Sequence, residues 1–517
     1  MKRSASKRRH YADETTDMTV VPPNDRSVDL SLWTVGTVTV VLGLLAALCL
    51  PFQLLFGASA LVLMLTYVTI GFGLAAFVIA GWNSPGAWLI FFYLIGNCLV
   101  AVYAKTAFGQ SLDSHLYVPA LSFSVLLIAT ICTVLAAILA NGLPVGRPML
   151  KPLTDPAQLR WISWACFGLG VLGWIAHQQA MRPDGSGFGG FAFLRDFLLM
   201  AVIARTASVI SSSDGRRSVD SMLFMILGTG LLVGLLANSK AAAALPFVSY
   251  YATLMFYRYR IRPSIILTPL LLVAVLVYVV GPVIHAWRHS GFQRLPLIER
   301  VDYTIDNLNM VIKSDFLKST DQQAQVIFGN LYYDYFRSAS SQMYLGRFAS
   351  VQQIDPVVMS ASAAERLGYQ AILPSVTMHV PRLLYPDKPD YPPAFDILLK
   401  YGWINPEGGK FPTLPMAGQA YAAFGLLGVA MICFGATFTL LLVWKKLSGG
   451  LSRNVFSIFF FCQFVVVYAS QGSLDQYVGA ALRYFPAFAV IFWLMMFGRN
   501  LALGFWRRAD VSTVAGR

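Results

Sequence analysis

The chain has 517 residues, of which 56% are apolar and 12% charged, with a formal net charge of +14. That balance excludes an ordinary soluble globular protein. The basic excess lies mostly in short connections and at both termini, where it anchors helix ends on the cytoplasmic side of a bilayer; this argues against nucleic acid as a partner.

Residues 1–31 begin MKRSASKRRH and stay polar, with no early apolar core and small-residue cleavage site. They read as a disordered cytoplasmic tail. Apolar runs of about 17–25 residues, the length that crosses a bilayer as helix, then follow one another. About twelve are expected: Leu32–Leu50, Leu54–Ala80, Ala87–Tyr103, Val118–Ala140, Trp161–Ala176, Phe191–Ile210, Met222–Ala237, Ala241–Phe256, Ile265–Ile284, Gly418–Trp444, Val455–Ser470 and Val478–Phe497. Nine therefore fall in 32–284 and three in 418–497, with a second cytoplasmic tail at 498–517. All six cysteines fall inside these runs, as small buried hydrophobes without a disulfide framework. With the N-terminus inside, the inner connections carry Arg147, Lys151, Arg160, Arg216, Arg217, Arg258, Arg260, Arg262, Lys445, Lys446 and Arg453. The outer ones are poor in basic residues, apart from Lys105 and Arg182, so the charge alternation is self-consistent and both termini are cytoplasmic.

The connection at 285–417 is far longer than ordinary loops and rich in Tyr, Phe, Leu and Ile. It reads as a folded, mainly helical extracytoplasmic domain. IERVDYTIDNLNMVIK and NLYYDYFRSASSQMYLGRF have spacings compatible with amphipathic helices at the membrane surface. Near its end, VPRLLYPDKPDYPP is stiffened by prolines that fix φ and extend the preceding residue, holding Arg382, Asp387, Lys388 and Asp390 in set directions.

Ionisable groups near membrane spans are functional candidates. Arg195 and Asp196 are expected about one turn inside the sixth span, Lys240 at the tip between spans seven and eight, and Arg483 about one turn inside the last. His285, Arg288 and His289 mark the exit of span nine, and Arg294 follows in the loop. These cations gather at the outer interface, which suits a phosphate-bearing lipid headgroup. The competing structural account is that they snorkel or pair with Asp196 and Asp475. His285, His289, His379, Asp387 and Asp390 are candidate acids or bases. Gln419 and Tyr421 are expected as polar groups at the outer mouth of span ten. No P-loop, GxGxxG or HExxH occurs.

At VPRLLYPDKP and GQAYAAFGLLGV, within this span pattern, the chain resembles the Wzy-type oligosaccharide repeat-unit polymerases. ANSKAAAALP resembles the outer helix tip where these enzymes and the related O-antigen ligases often carry Ser-Arg; Lys240 keeps the charge but loses the bidentate fork. The resemblance implies an all-α, GT-C-like glycosyltransferase that needs neither metal nor other cofactor. It would act on undecaprenyl-diphosphate-linked glycans at the outer face of a bacterial inner membrane, alongside a chain-length regulator and a flippase of the same pathway. It implies that Arg288 and Arg382, helped by Lys240, Arg195, Arg483 and Arg294, hold the leaving diphosphate. His379, Asp387 or Asp390 would serve the acceptor hydroxyl, with Lys388, Gln419, Tyr421, His285 and His289 lining the substrate. The rival readings are an O-antigen ligase, a lipid-linked oligosaccharide flippase, and a non-catalytic export scaffold.

Overall fold

The computed structural model describes residues 28–180, 189–237, 239–261, 299, 335, 349–380, 384–385, 393–403, 414–469 and 472–514. The protein is a helical membrane protein. Each span expected within these residues is a helix: α1 (Leu30–Leu55), α2 (Ala60–Ala80), α3 (Pro85–Leu94) running through a π-helical turn into α4 (Val100–Ala107), α5 (Pro119–Gly142) and α6 (Pro156–Ala180). A 3-10 turn (Gly189–Asp196) leads into α7 (Phe197–Ser212), followed by α8 (Ser221–Leu236) and α9 (Lys240–Phe256). Within the long connection lie α10 (Ser350–Ala363), α11 (Leu373–Thr377) and α12 (Pro393–Lys400). Then come α13 (Met416–Leu447), α14 (Val455–Phe460) leading by a π turn to α15 (Val466–Tyr468), and α16 (Leu474–Gly479) leading by another to α17 (Phe485–Val514). Among the described residues, seven helical stretches are long and apolar enough to cross a membrane. The expected ninth span lies outside the described residues.

Lipid offers the backbone no hydrogen bonds, so these apolar sequences satisfy their own in helices. Embedded hydroxyls do likewise: Thr66, Thr69, Thr130, Thr206 and Thr253 donate to carbonyls four residues back. Helix starts are set by Ser59, Asp220, Ser239 and Asn454, whose side chains accept first-turn amides, and by proline at the start of α3 and α5. Several expected boundaries move, the last helix running on to Val514 rather than ending at Phe497. The second span begins at Ala60 rather than Leu54, because α1 continues through Pro51 and the Ser59 cap starts α2. Arg195 and Asp196 precede α7 in the 3-10 turn instead of lying a turn inside it.

The core centres on α7, which is buried on nearly all sides and is only 16 residues long. Phe197 meets Phe459, Phe488 and Phe492 in edge-on and tilted ring contacts. Helix association within lipid depends on close van der Waals approach, which small residues permit. A Cβ at Gly230 would lie 2.7 Å from Pro246, and Gly234 abuts the backbone of Ala243, closing the α8–α9 hairpin.

The basic connections gather at one end of the bundle. Lys445 donates to the carbonyls of Ala140, Asn141 and Leu143, the last turn of α5 and its exit. The amides of Met149 and Leu150 donate to Lys446 and Leu447, and Leu451 N to Asn83. Arg453 N reaches Phe256, Arg258 stacks over Trp82 at 5.0 Å, and Val28–Asp29 pairs antiparallel with Arg260–Ile261. Also at this end, Arg205 pairs with Asp220. Burial alone would raise the Asp220 carboxyl, but hydrogen bonds from Arg205 and Leu223 N outweigh it and hold it below its ordinary value. Connections that alternate in charge along the sequence thus sort onto opposite ends in space.

At the other end Lys105, expected in a loop, is fully buried. Its ammonium donates to Ser114 O at 3.0 Å and Ser114 Oγ at 2.9 Å, and sits 4.0 Å from the Tyr335 ring centroid. The described part of the long connection packs on this end, with Ser350 to Val358 buried throughout.

Candidate functional site

The polar site forms where α16 begins. Ser473 and Gln476 make a capping box, with Ser473 N donating to Gln476 Oε1 at 3.0 Å, so the helix starts sharply. The first turn of α13 locks against it: Met416 N donates to Gly472 O at 2.9 Å, and Leu474 N to Gln419 Oε1 at 2.6 Å. Gln419 is fully buried, and its Nε2 has no hydrogen-bond partner among the described residues. Asp475 follows in the first turn of α16, 8% exposed. The Ser473 hydroxyl lies beside its carboxylate, whose Oδ1 has no partner among the described residues.

His379, just after α11, reaches across to this turn, its Nε2 2.7 Å from the Asp475 backbone carbonyl. A carbonyl only accepts, so Nε2 carries the hydrogen and Nδ1 is the basic nitrogen of the neutral ring. Gly479 makes the approach feasible, since a Cβ there would lie 2.5 Å from His379 Cε1. Tyr484 meets the imidazole edge-on at 6.4 Å, and the Arg483 guanidinium lies 5.5 Å from the Tyr484 ring centroid. Arg483 sits nine residues into its helix, in a π turn (Ala480–Tyr484), rather than one turn from the helix start. Asn97 and Gln463 likewise occupy π turns (Ile95–Leu99 and Phe461–Val465) within apolar helices, a distortion frequent at functional sites.

Tyr468 lies within electrostatic reach of Asp475 and Tyr484 on one side and of Arg195 and Asp196 on the other. Arg195 and Asp196 form an ion pair at 3.7 Å, with both side chains partly exposed. Lys240 opens α9 behind the Ser239 cap, at the same end of the bundle. Tyr421 is 3% exposed and packs in the apolar core, because α13 is buried all around through its first two turns. His285, Arg288, His289, Arg294, Arg382, Asp387, Lys388 and Asp390 lie outside the described residues; from the proline-rich segment, Leu384 and Tyr385 are both exposed.

Two features escaped sequence reasoning. Asp475 was weighed only as an ion-pair partner, though an acid just behind a Ser473–Gln476 cap at a membrane entry was a readable signal. The other is a break in α13 at Phe424–Gly425, where Gly425 adopts a φ of 66°. Leu367 N takes up the Ala422 carbonyl at 2.9 Å, and a Cβ at Gly425 would lie 2.7 Å from the Arg366 Cζ. The GQAYAAFGLLGV stretch is thus two helical segments.

Beside the site runs an apolar groove of about 230 Å³, lined by Ile372, Val376, Ile432, Tyr477, Ala481 and Leu482. Its walls adjoin the polar residues directly: Val376 is three residues before His379, and Leu482 precedes Arg483. Compared with protein-family models, curated proteins and solved structures, the chain matches none.

A change at Gly479 separates site from scaffold. Gly479→Ala raises intrinsic helix propensity by about 1 kcal/mol, which loss of the His379 hydrogen bond offsets, so thermal unfolding in detergent is expected to change little. The new methyl displaces the imidazole, and activity is expected to fall by about tenfold or more, the loss typical of an ångström-scale misplacement of a reacting group. Wild-type activity would show that the His379 position is unimportant.

Proposed function

We propose that this protein is a GT-C-like membrane glycosyltransferase of twelve spans, including one at 265–284, that joins oligosaccharide repeat units carried on undecaprenyl diphosphate. The observation that carries the reading is His379, held by Nε2 on the Asp475 carbonyl with Nδ1 as its basic nitrogen, at one end of an apolar bundle beside a cation and an apolar groove. The basic end of the bundle is cytoplasmic by the positive-inside rule, which puts the site on the outer face of the membrane.

In this reaction the acceptor hydroxyl oxygen attacks the anomeric carbon of the donor glycan as His379 Nδ1 takes its proton. The bond from that carbon to the diphosphate oxygen breaks, and the diphosphate leaves with the electron pair. Arg483 and Lys240, with Arg288, Arg294 and Arg382 of the long connection, neutralise the charge that develops on it. The isoprenoid tail of the carrier lies in the groove, whose lining includes Leu474 and Leu482, next in sequence to Asp475 and Arg483.

The test is the purified protein in a bilayer with lipid-linked repeat units from its own host. A ladder of products spaced by one repeat unit supports the polymerase. A single added glycan on a different lipid would instead mark a ligase, and movement of unaltered substrate across the bilayer a flippase. Either result overturns the reading.

A further inference from the structure

Two buried polar atoms at the start of α16 lack a partner among the described residues: the donor Gln419 Nε2 and the acceptor Asp475 Oδ1. Their side chains are 0% and 8% exposed, and Gln419 is bonded through Oε1 to the amide immediately before Asp475. Burying such groups unpaired is costly, and native proteins pair them with protein, ordered water or a ligand. A donor and an acceptor left open at one helix start match a hydroxyl, which gives one hydrogen bond and accepts another. A phosphate has no hydrogen for the carboxylate and would be repelled by it.

We propose that Gln419 and Asp475 bind one hydroxyl of the acceptor sugar, Nε2 donating to its oxygen and Oδ1 accepting its hydrogen, so that a neighbouring hydroxyl faces His379. The inference rests on the glycosyltransferase reading and adds to it the residues that select the acceptor. Asp475 carries His379 on its backbone carbonyl and the sugar on its side chain, so one residue fixes the base and the group it serves in the same frame. A site built to hydrogen-bond a hydroxyl discriminates strongly against a sugar that lacks it.

The test exploits inversion of the pair. Gln419→Glu keeps an oxygen for the Leu474 amide and removes the donor; Asp475→Asn weakens the acceptor and removes its charge. Each single variant is expected to raise KM for the lipid-linked repeat unit by about tenfold or more, the loss of one charge-assisted hydrogen bond, with kcat changed by less than about threefold. The double variant again offers one donor and one acceptor, in reversed order, and is expected to recover KM to within about threefold of wild type. Single variants with wild-type KM, or a double variant no better than either single, overturn the proposal. A second arm needs no turnover: a hydrophobic carbodiimide labels Asp475 in wild-type membranes, read by mass spectrometry, with methyl glycosides as competitors. If the wild type makes no polymer, the proposed function falls and this arm decides: labelling slowed by glycosides supports a hydroxyl site, and unslowed labelling overturns it.

Discussion

His379→Gln is expected to abolish chain elongation while the protein folds and inserts normally. The glutamine amide nitrogen can occupy the place of Nε2 and keep the donation to the Asp475 carbonyl, but it supplies no basic nitrogen. Loss of a general base lowers rates by about 10²–10⁴-fold. His379→Ala loses the same base and also the hydrogen bond, so it is expected to be equally inactive and less stable by about 1 kcal/mol. Initial rates of ladder formation and thermal unfolding of the two variants, measured side by side, separate chemistry from anchoring. Activity retained in His379→Gln and lost in His379→Ala would reduce the residue to a structural tether and remove the main support for the proposed reaction.

The membrane helices were legible because bilayer length and apolarity are local properties of the chain. Apolar runs marked α5, α9 and α13 to within a few residues, and the basic connections foretold which helix ends meet, as Lys445 on the last turn of α5 shows. His379, Arg483 and Gln419 were found as polar residues where an oily sequence meets water. Pairing across distance was not legible. Nothing local marks Lys105 as a buried cation over Tyr335, or Arg366 as the side chain packed on the distant helix break at Gly425. Arg195 and Asp196 are adjacent in the sequence, yet only the structure shows them ion-paired, at 3.7 Å. Asp475 was visible as a residue, but its place beneath His379 depends on α11 crossing α16, contacts that span 96 positions in the chain.

Asp355→Ala is expected to be among the most destabilising substitutions in the protein. Helix α5 has no side-chain cap of its own: its N-cap is Val118, followed by proline. Asp355, on α10, supplies the cap from 237 positions away, accepting Tyr117 N at 2.6 Å, Val118 N at 3.0 Å and the Ser122 hydroxyl at 2.7 Å. A carboxylate at a helix start also answers the positive end of the helix dipole. The side chain is 1% exposed, so water does not replace it when it is removed. Truncation leaves the part-buried Tyr117 and Val118 amides and the buried Ser122 hydroxyl without their acceptor, a loss of about 2–4 kcal/mol. Asp355→Asn keeps one carbonyl acceptor in the same shape and is expected to lose about half as much. Thermal unfolding in detergent ranks the three proteins, and a midpoint for Asp355→Ala equal to wild type would mean that α10 is not fastened to α5 through this carboxylate. Because α10 leads through α11 to His379, the same variant is expected to lose more activity than its stability alone explains, as α11 loses the anchor that holds the imidazole over α16.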